Sequence, residues 1–162
     1  MKNKIILPLV AFVLLFAIPL SAQKSKIFEA AKNLKEVTTI YVSPSLLKLG
    51  LSTAAMTESM GEAAGYVKSL KGLEVINTSL RQSADSLRTV TRRFVKDSKE
   101  AIDLLLEVND DESLINIFGN LDKGDDTTLI LEVNDEGEYS IIYLKGDIDV
   151  EGLLKTYAGS NL

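Results

Sequence analysis

The sequence changes period near residue 100, and that change limits the fold more than any other feature of the chain. Before it, Leu80, Ala84, Leu87, Val90, Thr91, Phe94 and Val95 recur at helical spacing over residues 80–97 and form one apolar stripe. After it, Ile102, Leu104, Leu106 and Val108 alternate with Asp103, Leu105 and Glu107, the two-residue period of a strand. Leu-Leu-Glu-Val-Asn-Asp-Asp at 105–111 leads into Leu-Ile-Asn-Ile-Phe-Gly. A near copy, Leu-Ile-Leu-Glu-Val-Asn-Asp-Glu at 129–136, leads into Tyr-Ser-Ile-Ile-Tyr-Leu-Lys-Gly. Each copy reads strand, acidic turn, strand. Two consecutive hairpins predict a four-stranded antiparallel meander, and two copies are too few for a solenoid.

The first half supplies fewer but distinct signals. Residues 35–42 are rich in β-branched and aromatic side chains and read as a strand. Ser43-Pro44 reads as a helix start, with Ser43 as N-cap and Pro44 at the first helical position. Residues 62–70 read as a second helical piece and residues 73–77 as a second strand. Ser79 and Gln82 have the spacing of a capping box before the helix at 80–97. Near the C-terminus, Asp149 caps a short amphipathic helix carrying Val150, Leu153, Leu154 and Tyr157. These elements predict a lead segment at 23–36 and one α+β domain at 37–162. The expected architecture is a two-layer ferredoxin-like sandwich: a mainly antiparallel sheet of five or six strands with helices on one face.

Residues 1–22 carry an address. Lys2 and Lys4 precede an apolar run at 5–20, which ends in Pro19-Leu20-Ser21-Ala22. That is the layout of a secretory signal peptide, and it predicts cleavage after Ala22 and a periplasmic or extracellular product. A spanning helix needs roughly 20 apolar residues, whereas this run is shorter and contains Pro8 and Pro19. No later segment is long and apolar enough to span a bilayer, so the processed chain is expected to be soluble. The chain has no cysteine. It therefore offers no N-terminal thiol for a lipid and no disulfide, and its stability must come from a core.

Composition also removes chemistry. There is no His, Cys or Trp. Ser-His-Asp and Cys-His catalysis, thiol redox reactions and zinc sites built on His or Cys are excluded. No cofactor or metal site is expected. The carboxylates could form calcium sites at 109–112, 122–126 or 134–138. None has the spacing of a helical calcium loop, and Asn, Asp and Gly are ordinary turn residues. Charge is divided along the chain: residues 23–99 hold 13 Lys and Arg against 7 Asp and Glu, and residues 100–162 hold 3 Lys against 16 Asp and Glu. No Gly, Pro or Ser-rich linker separates the halves, so one domain is expected. The overall acidity speaks against nucleic acid as a partner.

Two surfaces are candidates for binding. If Ile102, Leu104, Leu106, Leu129, Leu131, Val133, Ile142 and Leu144 face the helices, then Leu114, Phe118, Ile130, Tyr139, Ile141 and Tyr143 share the opposite face. Thr128, Glu132 and Asn116 interrupt that second face. An exposed apolar and aromatic face marks a partner or ligand surface; a register error of one residue would exchange the two faces. The second candidate is the basic side of the helix at 80–97, with Arg81, Arg88, Arg92 and Arg93.

The stretches Thr-Thr-Ile-Tyr-Val-Ser-Pro-Ser-Leu-Leu-Lys-Leu at 38–49 and Leu-Lys-Gly-Leu-Glu-Val-Ile-Asn-Thr-Ser at 70–79 resemble the domain of unknown function 4252 family. So do residues 105–119 and the closing Leu-Lys-Gly-Asp-Ile-Asp-Val-Glu-Gly-Leu-Leu. The resemblance implies a small exported α+β protein of Gram-negative bacteria and brings no catalytic residues. Some members are lipid-anchored; this chain, lacking cysteine, departs from that. The expected function is an exported non-catalytic binding or interaction protein of the cell envelope, with an envelope protein or a small molecule as partner. The alternative is an envelope glycan hydrolase using acidic residues, which requires two carboxyl groups facing each other roughly 5 to 9.5 Å apart.

Overall fold

Every strand signal in the sequence falls within one antiparallel sheet. A computed structural model of the protein describes residues 24–48, 67–99, 101–110, 113–121 and 126–160. The expected leader at 1–22, residues 62–66 of the expected second helical piece, and residues 122–125 lie outside the described residues. In chain order the elements are α1 (Lys26–Ala31), β1 (Thr38–Val42), α2 (Pro44–Lys48), β2 (Val67–Thr78), α3 (Arg81–Asp97), β3 (Asp103–Asn109), β4 (Ser113–Gly119), β5 (Thr127–Asp135), β6 (Glu138–Ile148) and α4 (Val150–Ser160). Residues 67–70 belong to β2, which corrects the helical reading of that stretch.

The strand order is β1-β2-β6-β5-β4-β3. Every neighbouring pair is antiparallel. The expected meander is therefore present as β3 to β6. Glu136 and Gly137, both at positive φ (47° and 87°), form the two-residue turn between β5 and β6. A turn with φ above zero at both positions matches the twist of the flanking strands. Because directions alternate, β2 and β3 run the same way, and α3 carries the chain from one to the other across the sheet.

Local signals explain most helix starts. Ser43 Oγ accepts from the Leu46 N–H, as expected of an N-cap (3.4 Å). Asp149 Oδ1 accepts from the Gly152 N–H (2.9 Å). The capping box at Ser79 does not form: α3 starts at Arg81 behind Leu80, which makes no side-chain cap. Thr78 Oγ1 takes the Leu80 N–H instead (3.1 Å) and donates to the Glu36 carbonyl (2.8 Å). Ser83 Oγ donates to the Lys35 carbonyl (2.7 Å). Both bonds tie the lead segment to the domain, and the lead segment itself holds α1, with Ile27, Phe28 and Ala31 buried.

Helices pack on both faces of the sheet, which corrects the expectation of helices on one face. On one face, Ile76, Phe118, Ile130, Tyr139 and Ile141 pack with Ile27 and Phe28 of α1 and Leu87 of α3. On the other, Ile117, Leu129, Leu131 and Leu144 pack with Val150 and Leu153 of α4. Each fully buried side chain of this size contributes about 1.5–3 kcal/mol. The element order also departs from the strand-helix-strand-strand-helix-strand pattern of the ferredoxin-like sandwich; the α+β class stands. The assignment of Ile102, Leu104 and Leu106 to one face fails for a local reason. A bulge between Leu104 and Leu106 inserts one residue, so Leu106 changes face relative to Leu104.

Gly146 marks a second irregularity, where β6 meets the register shift in β2. Its φ is 155°, and a Cβ there would lie 2.1 Å from the Ser69 carbonyl oxygen. Nothing lies within 4 Å of a Cβ at Gly72. Gly146→Ala is expected to destabilise the fold by about 1–3 kcal/mol or more, read as a lower urea midpoint. Gly72→Ala is the control, with a much smaller shift.

Candidate functional site

Glu132 lies in the middle of β5 on the face covered by α3, and it is 1% exposed. It is the cross-strand partner of Asn116. Its Oε2 accepts from Asn116 Nδ2 (2.8 Å), and its Oε1 accepts from the Tyr139 hydroxyl (2.5 Å). Arg88 of α3 places Nε 3.7 Å from Oε1. The same guanidinium lies 5.2 Å from the centroid of the Tyr139 ring, and its Nη1 meets Asp85 Oδ1 at 3.1 Å. Burial, and then the bond to Glu132, push the Tyr139 phenol far above its ordinary pKa. It is therefore a donor at every physiological pH.

A buried carboxylate costs several kcal/mol unless it is paired and hydrogen-bonded. Glu132 meets that requirement with three partners from three elements, so it joins β4, β6 and α3 at one point. Among the described residues, Asn116 Oδ1 of β4, and Thr91 Oγ1 and Arg88 Nε of α3, are buried without a hydrogen-bond partner, so Arg88 meets Glu132 as an ion pair only. The cluster is closed: its carboxylate is occupied and covered. It has the form of a clamp holding a helix on a sheet rather than of a reaction centre.

The second buried carboxylate, Glu74 of β2, is 3% exposed. Its Oε1 accepts from the Ser25 N–H (2.7 Å), and its Oε2 accepts from the Ser25 hydroxyl. Ser25 Oγ in turn accepts from the Phe28 N–H (3.1 Å) and caps α1. Beside it, the Lys24 ammonium lies over the rings of Tyr41 (4.8 Å) and Phe28 (5.2 Å). Burial raises the Glu74 pKa against the opposing effect of the Ser25 bonds. Burial and the charge of Glu74 also raise that of Tyr41.

The residues singled out from the sequence are redistributed. Phe118, Ile130, Tyr139 and Ile141 are buried under α1 and α3, and Leu114 and Tyr143 are half-buried. Tyr143 packs edge-on against Phe94 of α3, with ring centroids 6.2 Å apart. The candidate binding face is thus the inside of the domain. Both faces of β5 and β6 are apolar, and periodicity gives no indication of which one a helix will cover. Arg81, Arg92 and Arg93 remain exposed on α3, whereas Arg88 is withdrawn from the basic face and brought to Tyr139. The informative signal was the placement of Asn116 and Glu132 on an apolar face; in register, two polar residues there form a pair. Ser25 and Glu74 had no such signal.

Among the described residues, the exposed large apolar side chains lie at the perimeter. Ile40 on β1 is 51% exposed and Leu104 on β3 is 50% exposed. These are the two edge strands. Leu46, in α2 directly after β1, and Leu121, just beyond β4 at the start of β3, are also exposed. The β5–β6 turn forms a shallow acidic hollow lined by Val133, Asp135, Glu136, Glu138 and Ser140. Among the described residues no group of three His, Cys, Asp or Glu is placed to hold a metal ion. None of their helices is long and apolar enough to cross a membrane.

A family model described as "Domain of unknown function (DUF4252)" matches residues 28–156. No curated protein and no solved structure matches the chain.

Two substitutions test the buried carboxylates. Tyr139→Phe removes a hydrogen bond to a charged acceptor and is expected to cost about 1.5–3 kcal/mol, measured by urea unfolding. For Glu74, the raised folded-state pKa means that its favourable contribution is complete below the unfolded carboxylate pKa of about 4.3. That contribution is lost as pH rises through the folded value. The urea midpoint of the wild type relative to Glu74→Gln is therefore expected to rise as pH falls from neutral towards that range. Parallel pH profiles would refute the assignment.

Proposed function

The chain belongs to the DUF4252 family, and from that membership and its geometry we propose an exported, non-catalytic interaction protein of the bacterial cell envelope. It recognises partners along the edges of its sheet. The observation that carries this reading is the position of its exposed apolar side chains. Among the described residues, the large hydrophobic side chains left exposed are Ile40, Leu46, Leu104 and Leu121. All four lie on or beside β1 and β3. An edge strand presents unpaired backbone donors and acceptors, and added apolar side chains give a partner strand both affinity and selectivity. Export rests on the basic, apolar and small-residue regions of residues 1–22.

The alternative, hydrolysis of envelope glycans, finds less support. Glu74 and Glu132 are buried and each is engaged by its own partners. Asp135, Glu136 and Glu138 line only a shallow hollow at the β5–β6 turn.

Photo-crosslinking side chains placed at Ile40, Leu104 and Arg93 test the proposal in intact cells. Adducts are expected at the two edge positions and not at Arg93, an exposed position on α3. They are expected in the periplasmic or extracellular fraction. Equal labelling at all three positions, or adducts confined to the cytoplasm, would refute it.

A further inference from the structure

We propose that the partner at these edges is a second copy of this chain, with β3 of one copy adding to β1 of the next, head to tail. This rests on the edge-binding reading above and names its occupant. Three features of the sheet lead to it.

The first is direction. Among the described residues the sheet has six strands and every neighbour is antiparallel. Its two edges, β1 and β3, therefore run in opposite senses. A copy shifted sideways without rotation lays its β1 antiparallel to β3 and keeps each face of the sheet continuous. The repeat needs no two-fold axis, so it is heterologous and open-ended. The ordinary twist between strands would wind it into a helical filament.

The second is side-chain register. Ile40, Val75, Ile142, Leu131, Ile117 and Leu106 form one apolar row across all six strands. Leu131 and Ile117 at its centre are buried, while Ile40 at the β1 end is 51% exposed and Leu106 at the β3 end is half-buried. Joining β3 to the next β1 brings Leu106 beside Ile40, so the row continues from copy to copy. On the opposite face, Leu104 comes beside Thr39 and Tyr41.

The third is charge. The division along the sequence becomes a division across the sheet: β1 and β2 come from the basic half, and β6, β5, β4 and β3 from the acidic half. Asp103 and Glu107 are exposed on β3. At the other edge, the Lys24 ammonium sits 4.8 Å from the centre of the Tyr41 ring. In this register Glu107 of one copy comes beside Thr39 of the next, on the face of the sheet that carries Lys24 and Tyr41. Pairing β3 with another β3 would gather four carboxylates on adjacent strands, and like charges across a strand pair destabilise it.

Two exposed positions give a test that separates this geometry from its rivals. The protein is expressed with its own leader, purified as the cell processes it, and followed by sedimentation velocity across a wide concentration range. The wild type is expected to form dimers and longer species that shorten at high salt. Ile40→Lys blocks only the β1 edge and Leu104→Lys only the β3 edge, so each variant alone is expected to lose every species above monomer. An equimolar mixture is expected to regain dimer and stop there, because one variant offers only β3 and the other only β1. Far-UV circular dichroism confirms that both variants fold. If either variant alone stays dimeric, the pairing is two-fold and the head-to-tail arrangement is overturned. If the wild type is monomeric throughout, pairing between copies is overturned. In that case crosslinks at Ile40 or Leu104 to a different protein preserve the edge reading, and the absence of edge crosslinks removes it as well.

Discussion

The ion pair and hydrogen bonds around Glu132 fix how the layers of this domain meet. A carboxylate at the centre of an apolar face is tolerable only where its charge is answered, and Asn116, Tyr139 and Arg88 answer it from three different elements. Sliding α3 along the sheet would remove Arg88 from Glu132 and from the Tyr139 ring together. Shifting β4 against β5 would unpair Asn116. Apolar packing alone tolerates several arrangements of similar energy, and a closed polar cluster selects among them.

Glu74 does the same for the start of the domain. Its carboxylate holds both the backbone and the hydroxyl of Ser25, and Ser25 caps α1. The lead segment is therefore part of the core, with Ile27 and Phe28 inside it. The apolar run at 5–20 ends only a few residues before Ser25. The two buried acids lie on one face of the sheet and anchor the helices that close that face.

Helices on both faces change the possible sites of recognition. A sheet covered on one side offers its other side as a surface. Here α1 and α3 pack on one face and α4 on the other, and among the described residues the exposed large apolar groups are left at or beside β1 and β3. The even number of alternating strands makes these edges opposite in direction. The order of strands puts the acidic β3 at one edge and the uncharged β1, with Lys24 over Tyr41, at the other. Both properties belong to the topology and to no single residue.

Much of the local structure was legible in the chain. The alternating half predicts β3 to β6 because a two-residue period is the direct signature of a pleated strand, and the Ser43 and Asp149 caps follow from side chains that satisfy nearby backbone donors. The missing His, Cys and Trp exclude whole classes of chemistry regardless of fold. The assignment of faces was not legible: Leu129, Ile130 and Leu131 are all apolar, so alternation defines two faces without saying which meets α3. The bulge at Leu104–Leu106 then breaks the alternation itself. Nor could spacing along the chain reveal that Arg88 meets Tyr139, or that Ser25 meets Glu74, 49 residues away. The sequence by itself determined the elements, their periods and the excluded chemistry, because these depend on neighbours along the chain. Only the tertiary structure decided which face is buried, which charges are paired and which edges stay open, because these depend on groups that folding brings together.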